Sequence, residues 1–181
     1  MTDALKGLGW AALASATMIG GILFFGEGEE TLPRIVRATA RLASVAFAVT
    51  FVAVAPARFE PGLFVAFALV HTVHLGAVAT LVGATRGESL AGARPVAIVG
   101  GALAYLFILT FAGMHLTRPA PFTGALAVIR TVGLYYVWLA FTLAYVSRSI
   151  VEPGYLPLAA ILFAALVVRL WVATTGRSAR R

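Results

Sequence analysis

His71 and His74 stand three residues apart in the apolar run GLFVAFALVHTVHLGAVATLVG, and His115 closes the next one, AIVGGALAYLFILTFAGMHL. An ionisable side chain at membrane depth is costly, so it tends to face a bundle interior and mark a site. Imidazole is also the commonest protein ligand for metals and a usual axial ligand of haem iron. A spacing of three puts both rings on one helical face. Two readings of that pair stand side by side. The rings ligate a haem iron, or they are polar residues hydrogen-bonded across helices. The His-x-x-His pair alone does not make a zinc site, because no third ligand lies at matching depth.

The elements that must position these groups follow from hydropathy. The chain has 181 residues, 61% of them hydrophobic and 12% charged, where a soluble domain carries about a quarter charged residues. Crossing a bilayer takes roughly 20 residues of apolar helix. Six stretches qualify: 7–26, 38–57, 62–83, 95–116, 123–147 and 155–174. They predict an all-α integral membrane bundle of six transmembrane helices with short loops, one domain over 1–181.

Pro- and Gly-bearing segments, among them Glu60-Pro61-Gly62, Arg86-Gly87-Glu88, Arg118-Pro119 and Glu152-Pro153-Gly154, read as the turns between spans. Short turns make sequential helices antiparallel. The segment EGEETLPRIVRATAR, residues 27–41, reads as a short interfacial helix running into the second span. Its Arg34, Arg37 and Arg41 share one face. Small residues at Ala12, Ala16 and Gly20, and at Ala68, Thr72, Gly76 and Thr80, predict close helix approach. Gly100-Gly101 is the one hint of a helix broken at mid-membrane.

Composition also excludes chemistry. Without cysteine there is no thiol–disulfide exchange and no cysteine-ligated iron–sulfur cluster. The net charge of +7 flanks the spans instead of clustering on a soluble face. That argues against nucleic acid as a partner and for membrane lipid headgroups. The first span lacks the small-x-small pattern of a cleavable signal.

With six spans both termini fall on one side, here X, opposite a side Y. Lys6, Arg58, Arg118, Arg177, Arg180 and Arg181 flank X, and Arg34, Arg37, Arg41, Arg86, Arg94 and Arg148 flank Y. Six against six leaves the Lys/Arg rule silent. The Arg-rich tail favours X as the cytoplasmic side of a bacterial inner membrane.

Depth then sorts the polar residues. At 1.5 Å per residue, His71 lies roughly 14 Å in from X and His74 is close to the midplane. Arg130 lies about 10 Å and Arg169 about 8 Å from the same side. No Asp or Glu falls inside a span to pair with them. Either arginine snorkels to the interface, or it meets an anionic or polar ligand such as a haem propionate, a phosphate headgroup or a quinone carbonyl. Tyr135, Tyr136 and Trp138 lie deep enough to line a flat cofactor or to pack the core.

Several short segments resemble the ferric reductase-like transmembrane family, and within it the small haem-binding subunits of bacterial methionine sulfoxide reductase systems. They are the polar first loop entering span two, Ala55 to Phe59, Gly62-Leu63 followed by Val73-His74-Leu75, and Arg94-Pro95 opening span four. The resemblance implies a b-type haem and electron transfer between quinol, or a reductase, and a partner protein. Any enzyme activity would belong to an oxidoreductase of which this is the membrane subunit. It implies a histidine of span three, His71 or His74, as an iron ligand; beside it, the depth and type of His115, Arg130, Tyr135 and Arg169 would put them around the cofactor, with the arginines on propionates.

The chain departs from that family on span five. Arg130 after Ile129, and Tyr145 after Ala144, stand where the family carries histidines. Haem would then be held with an unusual second ligand such as His115 or Tyr145, or by one protein ligand. His115 would need a depth adjustment of roughly 10 Å to pair with His71. The alternative is a non-redox bundle, acting as a structural subunit of a larger complex, a lipid- or quinone-binding module, or a small-solute carrier.

Overall fold

Helix is the only answer this sequence has to a bilayer, since every backbone N–H and C=O must be satisfied within the segment. The computed structural model describes residues 2–25, 30–53, 61–93, 95–117 and 122–178. It forms six long helices: α1 (Thr2–Phe25), α2 (Thr31–Ala53), α3 (Pro61–Ala84), α4 (Pro95–Thr117), α5 (Gly124–Ser149) and α6 (Leu156–Ser178). Each is long and apolar enough to cross a membrane. Large side chains such as Val96, Leu106, Leu143, Val167 and Trp171 point outward, as lipid-facing surface should.

α2 is the centre of the bundle and packs on α1, α3, α5 and α6. The core forms around it from Phe47, Phe51, Phe67, Ile108 and Leu162, all fully buried. Helix α2 starts seven residues earlier than the hydropathy of its span indicated, so among the described residues the expected interfacial segment is its first turns, continuous with the span. Pro33 sits in its first turn, where a missing N–H costs nothing. Ile35 and Thr39 are buried while Arg34 and Arg37 are exposed. A hydropathy window averages these two faces and so misplaces the start. The turns at 54–60 and 118–121 lie outside the described residues, as do Arg94 and the tail arginines 180 and 181.

The α3–α4 turn is described. Gly87, at φ +89°, sends its N–H to the Val82 carbonyl at 2.9 Å. That left-handed position suits glycine, which has no Cβ to clash.

Two expectations about packing need correction. Ala12, Ala16 and Gly20 are exposed, as are Thr72, Gly76 and Thr80; only Ala68 of the second series is buried. The close face of α1 is one residue away, at Gly7, Ala11 and Ser15. A Cβ at Gly7 would run into the Gly62 carbonyl of α3. Small residues permit close approach on any face they occupy. Which face is used depends on where the partner helix lies. Nor is α4 broken at Gly100-Gly101, because the helix runs through. Gly100 instead receives a hydrogen bond from Tyr136 to its carbonyl at 2.9 Å.

Candidate functional site

Three helices converge on His71 and His74. Between α2, α3 and α5, in the Y half, lies a cavity of about 190 Å³. Its polar lining is His71, His74, Arg37, Tyr145 and Arg148, with Phe141 as an apolar wall. α3 brings both histidines because three residues span less than one turn. α2 and α5 bring the arginines because both helices run out of the membrane at Y.

Thr39 Oγ1 lies 2.8 Å from the Ile35 carbonyl, 3.0 Å from the Val36 carbonyl and 3.0 Å from His74 Nδ1. A hydroxyl has one proton, and threonine within a helix commonly bonds back to a carbonyl of the preceding turn. With the proton there, Thr39 accepts from His74 Nδ1–H and the lone pair of a neutral ring lies on Nε2. This is the second-shell arrangement that metal-ligating histidines use.

His71 is buried at 6% exposure, and its Nδ1 has no hydrogen-bond partner among the described residues. Its ring stacks on Tyr105 with centroids 4.2 Å apart and lies 5.3 Å from Phe141. Tyr105 also donates to the His71 carbonyl at 3.3 Å. Tyr145 is fixed in turn. Its hydroxyl donates to the Ala40 carbonyl at 3.0 Å and accepts from Ser44 at 2.6 Å. Arg37 and Arg148 are exposed at the rim. Arg41 and Arg148 lie over the ring of Tyr155 at 5.4 and 5.7 Å.

The remaining expected site residues collect elsewhere, in the X half. Arg169 is 2% exposed and does not snorkel. Its Nη1 donates to the Phe51 carbonyl, two residues from the end of α2, where carbonyls lack a partner within the helix. Its guanidinium lies 4.4 Å over the Phe51 ring and 5.2 Å over that of Tyr135. Arg130 is also buried, 5.8 Å over Phe122. His115 packs between Phe122 at 4.7 Å and Phe64 at 5.2 Å. None of His115, Arg130, Tyr135 or Arg169 lines the histidine cavity.

The structure therefore splits the expected set in two. His71 and His74 stay together, and the cations beside them are Arg37 and Arg148, not Arg130 and Arg169. The sequence reading missed Arg37 and Arg148 as site residues. They join the histidines only through the packing of α2 and α5 on α3, which no local pattern carries.

The lining carries donor types that a haem uses, two imidazoles and two guanidiniums, without a carboxylate. As packed, the space is smaller than the roughly 300–1,000 Å³ of ordinary ligand sites, so it supplies the donors and not the volume of a macrocycle. Compared with known proteins, the chain matches no family model, no curated protein and no solved structure.

Proposed function

We propose that this chain is a membrane electron-transfer subunit that holds b-type haem in the cavity between α2, α3 and α5. The observation that carries the reading is His74, whose Nδ1–H is held by Thr39 at 3.0 Å beside that cavity. The resemblance to ferric reductase-like proteins supports it, since the cavity is walled by α3 and by the stretch of α5 that includes Tyr145. His74 would ligate the iron, with His71 as the other candidate. Arg37 and Arg148 would pair with the propionates.

Bound haem would supply one-electron redox chemistry. Phe141, Phe67 and Tyr105 pack around the ring of His71, and Thr39 holds that of His74. The partner would be a protein or a quinone on the Y side, and the setting a bacterial inner membrane with both termini in the cytoplasm.

A second reading has its own observation. The small cavity, and an α5 without histidine, suit a non-redox bundle that takes a compact anion between Arg37 and Arg148.

An absorption spectrum separates the two. The full chain, expressed with haem supplied and purified in detergent, should show a Soret band that shifts on dithionite reduction and disappears in His74→Ala. A colourless protein that binds inorganic phosphate, and loses that binding in the Arg37→Gln/Arg148→Gln double variant, would establish the second reading instead.

A further inference from the structure

Arg148 belongs to two places at once. It lines the histidine cavity with Arg37, and its guanidinium lies 5.7 Å over the ring of Tyr155. Arg41, from α2, lies 5.4 Å over the same ring. Tyr155 closes the short 3-10 turn Pro153–Tyr155 between α5 and α6, and it is 4% exposed. Its ring packs 5.9 Å from that of Tyr145, whose hydroxyl is tied to Ala40 and Ser44. A line of contacts therefore runs from α2 through two aromatic rings to the cation at the cavity mouth.

This arrangement answers a problem that an exposed arginine poses. Arg148 is exposed, and an unanchored guanidinium samples many rotamers, of which a ligand must select one. The face of an aromatic ring carries partial negative charge and attracts a cation, and a planar guanidinium stacks well on it. A ring that is itself buried and braced gives Arg148 a fixed platform, so less freedom is lost when an anionic group arrives. By taking Arg41 as well, the ring links α2 and α5, the helices that carry Arg37 and Arg148.

We propose that Tyr155 is a positioning residue of the histidine cavity, holding the Arg148 guanidinium at its mouth for the anionic group of the ligand. The proposal rests on the reading of Arg37 and Arg148 as the cations that receive that group, a propionate in the first reading and a compact anion in the second. Tyr155 does not itself line the cavity, so it acts through Arg148.

The test uses the full chain in detergent and two readouts. The first needs no ligand: modification of Arg148 by phenylglyoxal, followed by peptide mass spectrometry. Tyr155→Leu should speed it about two- to fivefold, the scale of one exposed cation–π contact, and Tyr155→Phe should keep the wild-type rate. A fluorinated phenylalanine at position 155 preserves the shape and weakens the ring face, so it should speed modification likewise even if Tyr155→Leu fails to fold. The second readout is affinity for haem or for inorganic phosphate, whichever the wild type binds. Tyr155→Leu should weaken it by about the same factor and add nothing in an Arg148→Gln background. If the wild type binds neither, the cavity reading fails and takes the role of Tyr155 with it. If it binds one, equal modification of Arg148 in all variants, or a Tyr155→Leu loss that persists undiminished in Arg148→Gln, overturns this proposal alone.

Discussion

Thr39 has one proton for two carbonyls and the His74 ring, and where that proton goes decides what His74 can do. With the proton on the Ile35 carbonyl, His74 Nε2 is a lone-pair donor towards the cavity. Thr39→Val removes the oxygen that holds Nδ1–H while keeping the volume. Second-shell losses of this kind typically cost 10–100-fold in affinity for the metal centre. Under the haem reading proposed above, haem retention, titrated by Soret absorbance, should fall by about that factor in Thr39→Val, with the fold intact. Unchanged retention would place the iron on His71. Arg169 shows the opposite use of a polar residue. It looks like a ligand-binding cation from sequence, yet its guanidinium is engaged by the Phe51 carbonyl and two aromatic rings.

Helices meet at a few close contacts, and glycine makes two of them possible. Gly7 lets α1 sit against the Gly62 carbonyl, and Gly133 brings α5 to within a methyl group of Phe107 on α4. At Gly7 the obstacle is backbone and has no rotamer to change. Gly7→Ala must therefore push α1 off α3, at about 1–3 kcal/mol for overpacking. The midpoint of unfolding in sodium dodecyl sulfate, followed by circular dichroism, should drop in Gly7→Ala. No drop would mean α1 packs elsewhere. The helices themselves were readable, because an apolar run of bilayer length admits one structure. Their inward faces were less so. Ala12, Ala16 and Gly20 have the same spacing as Gly7, Ala11 and Ser15, and local sequence cannot say which row meets α3. For the same reason His71 and His74 were found as a pair on one helix, while Arg37 and Arg148 joined them only through the packing of three helices. The depth of Arg130 and Arg169 is legible in the sequence, whereas their surroundings are set by the packing of other helices.

At the scale of the molecule, charge leaves the orientation balanced, with six Lys or Arg flanking each side. The absence of cysteine makes a direct measurement clean. Ser89 lies in the α3–α4 turn on Y, and Thr175 lies in the last turns of α6 towards X; both are exposed. Single cysteines at these positions, treated in intact cells with a membrane-impermeant maleimide, should label at Ser89→Cys and not at Thr175→Cys if the termini are cytoplasmic. The reverse pattern inverts the molecule and puts the histidine cavity on the inner face.

The bond from Arg169 to Phe51 joins residues 118 positions apart, and that separation has a consequence for biogenesis. Helices enter a bilayer in the order they are synthesised and associate afterwards. The end of α2 therefore waits through the synthesis of four more helices before its carbonyl finds a donor. Tyr145, bonded to Ala40 and Ser44 over 105 and 101 residues, reaches the same helix earlier, from α5. A nascent chain arrested before α6 carries a central helix with an open end, which is the kind of unfinished surface that membrane quality control can read. Arrival of α6 and closure of the end of α2 are thus one event.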